Sequence, residues 1–301
     1  MPTVLAIDTE YQLVNPAWAR LAGFSYSWQP GSARYCLPSP TAVAHLQEQA
    51  DQADRIVMHN SPGDCLVLEN VGFHVDYEKL HDTIVMSAVL QEAELGLKAL
   101  AYDKFGVLMT SLDDIIGTGK KRRDPTEVPV EEIWEYGCAD ADMTRRLFDF
   151  QYERLEADPK LLYIYEAIER PCFEAVVEMQ RNGVLLDWQK FEELEAELES
   201  MVQSERQALQ DIAGNPLFNP GSNIQVQRFI YGVLKRRPQK HIKTGNVSAD
   251  ERSIMVLREQ EDHPFLEKLL EWRGYTALLT RYLRPFPALA DCNGWLHPSF
   301  K

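Results

Sequence analysis

The first half of the chain alternates between short apolar segments and longer stretches with a helical pattern. Strand-like patterns occur at residues 4–7, 21–28 and 55–58. Helix-like patterns occur between and after them, at residues 41–53, 62–71, 97–105 and 130–155. Alternation of this kind predicts an α/β domain whose mixed sheet is flanked by helices.

The second half has almost no strand pattern and predicts long helices. Residues 161–182 have a helical pattern that Pro171 should kink, because proline has no backbone N–H to donate. Residues 187–213 repeat apolar side chains at three-and-four spacing, which predicts one amphipathic helix about 40 Å long. A further helical region, interrupted near Pro264, is predicted at residues 250–283. The segment between these two regions, residues 215–247, is rich in loop-forming residues.

Length and composition indicate a soluble protein of two domains, which we place at residues 1–156 and 157–301. Of the 301 residues 45% are hydrophobic, and no apolar run reaches membrane-spanning length. Residues 1–7 lack the basic start and long apolar stretch of a secretory signal, so we expect a cytoplasmic location, in a cell or in the host of a virus. The five cysteines are scattered without a C-x-x-C pair, which favours neither a disulfide framework nor a zinc site.

Charge alone leaves the question of a nucleic-acid partner open. The formal net charge is -15, whereas phosphate binding depends on lysine and arginine. Two basic clusters nevertheless stand out, at residues 120–123 and 235–243. A basic cluster is more often a solvated loop than a binding site. The second cluster falls in the loop-rich segment between two long helices, a shape suited to gripping a ligand.

Two carboxylates follow the first apolar strand. Asp8 and Glu10 come directly after residues 4–7 and, being two positions apart, point to the same face. A third carboxylate, Asp64, lies in the first turn of a predicted helix, with Asn60 or Ser61 expected to cap that helix.

The fourth carboxylate, Asp140, lies within a helical pattern, and Tyr136 is its neighbour one turn earlier. Carboxylates gathered in one cleft repel one another unless cations neutralise them. Their oxygens suit Mg²⁺ or Mn²⁺, and two such ions about 3.5–4 Å apart stabilise both the attacking and the leaving oxygen of a phosphodiester. The Tyr136 hydroxyl could orient the attacking water. The pattern thus predicts metal-dependent hydrolysis without a covalent intermediate.

Each motif alone is weak, but their order and spacing resemble the DEDDy 3′→5′ exonucleases, which have a ribonuclease H-like fold. The matching motifs are Asp8-Thr9-Glu10, Asn60-Ser61-Pro62-Gly63-Asp64 and Tyr136-Gly137-Cys138-Ala139-Asp140. The histidine variant of that superfamily would have a histidine at position 135, where this chain has Glu135. The resemblance implies that Thr9 and Asn60 contact the DNA end. Gly63 replaces the aromatic residue that usually precedes the second-motif aspartate.

The second half resembles the thumb of family A (DNA polymerase I-like) DNA polymerases, in four segments: residues 168–187, 218–225, 243–248 and 269–282. The resemblance implies contacts with the DNA backbone, which position DNA without reading its sequence, from Asn219, Ser222, Lys243, Thr244 and Ser248. Residues 294–301 are similar to the junction between thumb and palm. We therefore expect no DNA synthesis by this chain alone. The sequence is then either a fragment of a longer polymerase or one subunit of a split polymerase, and the second option predicts a separate palm-and-fingers chain as a partner. The other expected partners are single-stranded or frayed 3′-ended DNA and primer–template duplex.

The two resemblances together imply the 3′→5′ proofreading exonuclease of a DNA polymerase I-like replicative polymerase, which releases deoxynucleoside monophosphates from a 3′ end. Two other functions compete with this one. A ribonuclease D-like exoribonuclease would share the carboxylates, although the long helices and the basic segment between them disfavour it. A non-catalytic polymerase subunit that grips duplex DNA would need the fold only as a scaffold. The presence of all four carboxylates and Tyr136 disfavours that second alternative.

Overall fold

The computed structural model describes residues 2–260 and 263–300. These residues form two compact units, one of residues 2–183 with 297–300 and one of residues 184–296. The predicted domain boundary at residue 156 stays a prediction. The predicted domain ranges begin at Met1 and end at Lys301, and these two residues lie outside the described residues.

The first unit is built on a five-stranded mixed sheet, as the alternating pattern predicts. Its strands are β1 (Val4–Tyr11), β2 (Leu21–Ser27), β3 (Ala33–Cys36), β4 (Arg55–Met58) and β5 (Leu80–Asp82). The order is β3-β2-β1-β4-β5, with β1–β2 and β2–β3 antiparallel and β1–β4 and β4–β5 parallel. The first strand does not end at Ile7 but continues to Tyr11, because β2 pairs with it along this whole extension.

The first unit also contains several helices. They are α1 (Pro40–Gln52), α2 (Pro62–Asn70), α3 (Thr83–Val89), α4 (Leu97–Phe105), α5 (Leu112–Ile116), α6 (Val130–Glu156), α7 (Pro159–Ile164) and α8 (Cys172–Asn182). The longest, α6, packs across β1, β2 and β3. The helical pattern at residues 161–182 is broken ahead of Pro171 by a π-helical turn, Tyr165–Glu169, and ends at Gly183, which adopts a left-handed φ of 67°.

The second unit is mainly helical. Its helices are α9 (Trp188–Ala213), α10 (Asn223–Gln227), α11 (Glu251–Gln260), α12 (Pro264–Leu278) and α13 (Phe286–Leu289). Helices α9 and α12 pack against each other, and a cluster of buried aromatic rings, Phe218, Phe229 and Phe265, forms the core beside them. The segment predicted to be loop-rich contains α10 and a π-helical stretch, Arg228–Val233, followed by short strands β7 (Gln239–Lys240) and β8 (Val247–Ser248). Two further short strands, β6 (Val184–Leu185) and β9 (Trp295–Leu296), pair with each other.

Candidate active site

Three of the predicted carboxylates meet between the sheet and α6. Asp8 and Glu10 lie on the same side of β1, and Asp140 reaches them from α6. Oxygen atoms of the three lie within 4.8 Å of one another. Glu10 and Asp140 are 6% and 5% exposed, so water hardly screens their mutual repulsion.

The fourth carboxylate, Asp64, joins this group from α2. Its side chain is buried and accepts a hydrogen bond from the Thr9 hydroxyl, and its charge helps to raise the pKa of both Asp8 and Glu10. Thr9 thus ties the second motif to the first, a role that its predicted DNA contact does not include. Burial raises the pKa of Asp64 to about 7, although the hydrogen bond from Thr9 opposes this shift.

The start of α2 is held differently from the sequence prediction. Neither Asn60 nor Ser61 caps it: Asn60 is exposed with a left-handed φ of 67°, and the Ser61 side chain makes no capping bond. The carboxylate of Asp82, at the end of β5, accepts instead from the backbone amides of Asn60 and Ser61 at 3.0 and 2.7 Å. The same carboxylate caps α3 through the amide of Ile84 at 2.9 Å. Residues distant in sequence therefore fix the position of Asp64.

Lys98 is the site residue that sequence reasoning missed. Its ammonium nitrogen lies 2.8 and 3.1 Å from the two carboxylate oxygens of Asp140 and 3.1 Å from the hydroxyl of Tyr136. It also lies 4.5 Å from the centre of the Tyr136 ring. A lysine at the start of a predicted helix, here residues 97–105, carries no signal of its own.

The carboxylates remain strongly coupled in spite of Lys98. Burial, followed by the charges of Asp140, Glu10 and Asp64, raises the pKa of Asp8 well above its ordinary range. Burial also raises the pKa of Glu10 to about 8, with further contributions from Asp140 and Asp64. The Oδ2 atom of Asp8 is buried and has no hydrogen-bond partner among the described residues. An unpaired carboxylate oxygen beside two more carboxylates is a donor set that fits a divalent cation of the Mg²⁺ or Mn²⁺ type.

Tyr136 remains protonated in this setting. Burial raises the pKa of its phenol far above the ordinary value, and the negative charges of Asp140, Glu10 and Asp8 add to the shift. A neutral phenol hydroxyl can donate one hydrogen bond and accept another. In this structure the hydroxyl accepts from Lys98 and shares a hydrogen bond with Asp140, so Tyr136 lies beside the carboxylates as a neutral group and not as a base.

Gly63, in helix α2, makes room for the side chain of Tyr11 at the end of β1. A Cβ atom at this position would lie 2.5 Å from the hydroxyl oxygen of Tyr11 and 3.7 Å from the Pro16 side chain. Tyr11 follows a register shift at the end of β1, an irregularity of the kind that redirects side chains near active sites. The position that lacks its usual aromatic residue is thus next to the Tyr11 phenol.

The residues predicted to contact the DNA backbone lie in the second unit. Ser222 caps α10 through the amide of Gln225, and the exposed Asn219 holds the turn before it by accepting from the Gly221 amide at 2.9 Å. The Ser248 hydroxyl accepts from the backbone amide of Asp250 at 3.1 Å. Lys243 and Thr244 lie in the exposed turn between β7 and β8. Their DNA contacts stay predictions.

Comparison with known protein families agrees with both halves of this description. A family model described as 3'-5' exonuclease matches residues 1–156, and one described as DNA polymerase family A matches residues 188–301.

Within the described residues, no helix combines the length and the apolar character that crossing a membrane requires.

Curated relatives extend over nearly the whole chain. DNA polymerase I of Chloroflexus aurantiacus is 29% identical over 98% of this chain and 33% of the relative, and DNA polymerase I of Pseudomonas aeruginosa is 28% identical over 99% and 34%. The DNA polymerase of Escherichia phage T5 is 28% identical over 98% of this chain and 38% of its own length. The chain therefore spans about a third of the length of these relatives.

A solved structure shows the same fold. It is the POL domain of Pol1 from M. smegmatis in complex with a DNA primer-template and dNTP, with a TM-score of 0.75 at 19% identity. The match covers 100% of this chain and 49% of that one.

Proposed function

Because the chain belongs to the 3′–5′ exonuclease family of family A DNA polymerases, we propose that its first unit removes nucleotides one at a time from the 3′ end of DNA. The observation that carries this proposal is the convergence of Asp8, Glu10 and Asp140 within 4.8 Å, with Asp64 tied to them through Thr9. The reaction is hydrolysis: water attacks the terminal phosphorus, the bond to the 3′ oxygen breaks, and a deoxynucleoside monophosphate leaves.

The residues of this chain would divide the work. Asp8, Glu10, Asp64 and Asp140 would hold two divalent cations, Mg²⁺ or Mn²⁺. Such cations supply activation of water and stabilisation of the leaving oxygen. Tyr136 would orient the attacking water, and Lys98 would hold both Tyr136 and Asp140 in place through its three short contacts.

The family match of the second unit supports DNA as the substrate. The match of residues 188–301 to family A polymerases favours a DNA end over the RNA substrate of a ribonuclease D-like enzyme. We further propose that the second unit binds primer–template duplex through Lys243, Thr244 and Ser248 near the β7–β8 turn, with Asn219 and Ser222 close to α10. The non-catalytic alternative is disfavoured because the site keeps its carboxylates, Tyr136 and an ammonium group in mutual contact.

The test is digestion of 5′-labelled single-stranded DNA and RNA oligonucleotides with Mg²⁺, by the wild type, Asp8→Ala and Glu135→Ala. Glu135 is exposed on α6 next to Tyr136 and serves as the matched control. We expect stepwise shortening by the wild type and Glu135→Ala and none by Asp8→Ala. Digestion of RNA in preference to DNA, or equal digestion by Asp8→Ala, would refute the proposal.

The separate palm-and-fingers partner and the lack of DNA synthesis by this chain alone stay predictions. A tagged chain can be recovered from its native source and the associated proteins identified. A co-purifying chain that adds nucleotides to a primer would support the prediction. Nucleotide addition by the purified chain alone would contradict the predicted lack of DNA synthesis.

A further inference from the structure

Tyr35 lies on the strand next to the candidate active site, in a slot formed by two glycines. It pairs with Ser25 of β2, which itself pairs with Asp8 of β1, so the three residues form one row across the sheet. A Cβ atom at Gly23 would lie 1.9 Å from the Tyr35 hydroxyl oxygen, and one at Gly137 would lie 2.8 Å from the Tyr35 ring. Any larger residue in either place would displace the ring.

The slot directs the Tyr35 hydroxyl toward Glu10. Glu10 pairs with Gly23, and paired residues of antiparallel strands have Cβ atoms roughly 4.5–5.5 Å apart. The hydroxyl occupies the space of the missing Gly23 side chain and therefore lies within one side-chain length of the Glu10 carboxylate. The raised pKa of Tyr35 agrees with this placement. Burial is the largest cause, and the negative charges of Glu10 and Asp8 raise the pKa further.

The Tyr35 hydroxyl is a buried donor without a partner. Its oxygen makes no hydrogen bond among the described residues, and the same holds for the acceptor Oδ2 of Asp8 nearby. Buried polar groups normally have a partner, so each exception needs an explanation. Here an unused donor and an unused acceptor lie at the same group of carboxylates.

We propose that Tyr35 is a positioning residue for the metal-binding carboxylates, whose hydroxyl donates a hydrogen bond to Glu10 when divalent cations are bound. A carboxylate that gives one oxygen to a cation keeps free lone pairs on the other, and a donor at that oxygen fixes its orientation. The ring already lies in the slot between Gly23 and Gly137, so the donor is in place before the cations bind. This inference rests on the proposed metal-dependent function.

The test measures the binding of Mn²⁺ alone by isothermal titration calorimetry to the wild type, Tyr35→Phe and Tyr26→Phe. Tyr26 is the matched control: it lies on β2, is buried, and its hydroxyl contacts His45 at 3.2 Å rather than the carboxylates. We expect Tyr35→Phe to bind Mn²⁺ roughly 10-fold more weakly, the lower end of the range for such outer contacts. Tyr26→Phe should bind like the wild type.

Two further measurements separate a positioning role from a packing role. Without metal, Tyr35→Phe should melt at a higher temperature than the wild type, because an unpaired buried hydroxyl is removed. Its exonuclease rate should be low at limiting Mn²⁺ and recover at saturating Mn²⁺, with an unchanged KM for DNA. Equal Mn²⁺ affinity of Tyr35→Phe and wild type, or a lower melting temperature of the variant, would overturn the proposal. A wild type that binds no Mn²⁺ would instead refute the proposed function.

Discussion

Raising the pH should destabilise the metal-free protein, and Glu10 should account for a large part of the loss. In the unfolded chain Glu10 ionises near its ordinary pKa of 4.5, whereas in the folded protein burial, Asp140 and Asp64 raise its pKa to about 8. Between these values the folded state holds a proton that the unfolded state has released. The free energy of unfolding therefore falls as the pH rises, and the contribution present below pH 4.5 is lost by about pH 8.

The size of the effect follows from the width of this window. Each pH unit inside it costs at most about 1.4 kcal/mol for one proton. Between pH 5.5 and pH 7.5 the ionisation of Glu10 should therefore remove about 2–3 kcal/mol. That is a large fraction of the roughly 5–15 kcal/mol by which domains are stable.

The assay is urea unfolding in EDTA at both pH values for the wild type, Glu10→Gln and Glu135→Gln. The glutamine at position 10 cannot ionise, so this variant should lose less stability at pH 7.5 than the wild type, by the amount above. Glu135 is exposed, and its variant should behave like the wild type. Adding Mg²⁺ at pH 7.5 should restore the wild type more than Glu10→Gln. Equal pH dependence of the wild type and Glu10→Gln would show that Glu10 is not in the buried, charged setting described above.

Three other variants test separate parts of the structure. Lys98→Met removes the contacts to Tyr136 and Asp140 and should lower kcat roughly 10- to 100-fold with an unchanged KM for DNA; an unchanged kcat would exclude Lys98 from the site. Gly63→Ala should slow digestion because its Cβ displaces the Tyr11 hydroxyl. Adding Tyr11→Phe to this variant should restore part of the rate. Additive losses of rate in the double-mutant cycle would argue against this contact. Lys243→Ala should weaken primer–template binding equally for all sequences and reduce the salt slope by about 1 in fluorescence anisotropy.

The sequence predicted the parts of the fold that depend on local periodicity. Strand β4 and helix α4 have the predicted bounds, and the long helix α9 begins one residue after its predicted start. Strand β3 was not predicted because Ala33–Cys36 is short and only half-buried, so neither alternation nor an apolar run marks it. Strand β5 has only three residues, which is too few for a period to appear.

The sequence predicted the site residues that belong to a short motif. It did not predict the residues that contact them from distant parts of the chain. The spacing of Asp8 and Glu10 on one strand was enough to place them together. Lys98 was missed because its role depends on α4 packing beside α6, and no local pattern describes that contact. The cap of α2 was predicted incorrectly for the same reason, since Asp82 lies about twenty residues away from the amides it binds.

The role of Asp82 has a consequence for how the centre acquires its cations. Its buried carboxylate accepts hydrogen bonds from main-chain amides at the beginnings of two helices, so the segment that carries Asp64 is anchored by Asp82, which is not one of the proposed metal ligands. We expect the binding and release of the proposed cations to change the charge of the centre without breaking these hydrogen bonds. Exchange between Mg²⁺ and Mn²⁺ should accordingly proceed without local refolding of residues 60–64.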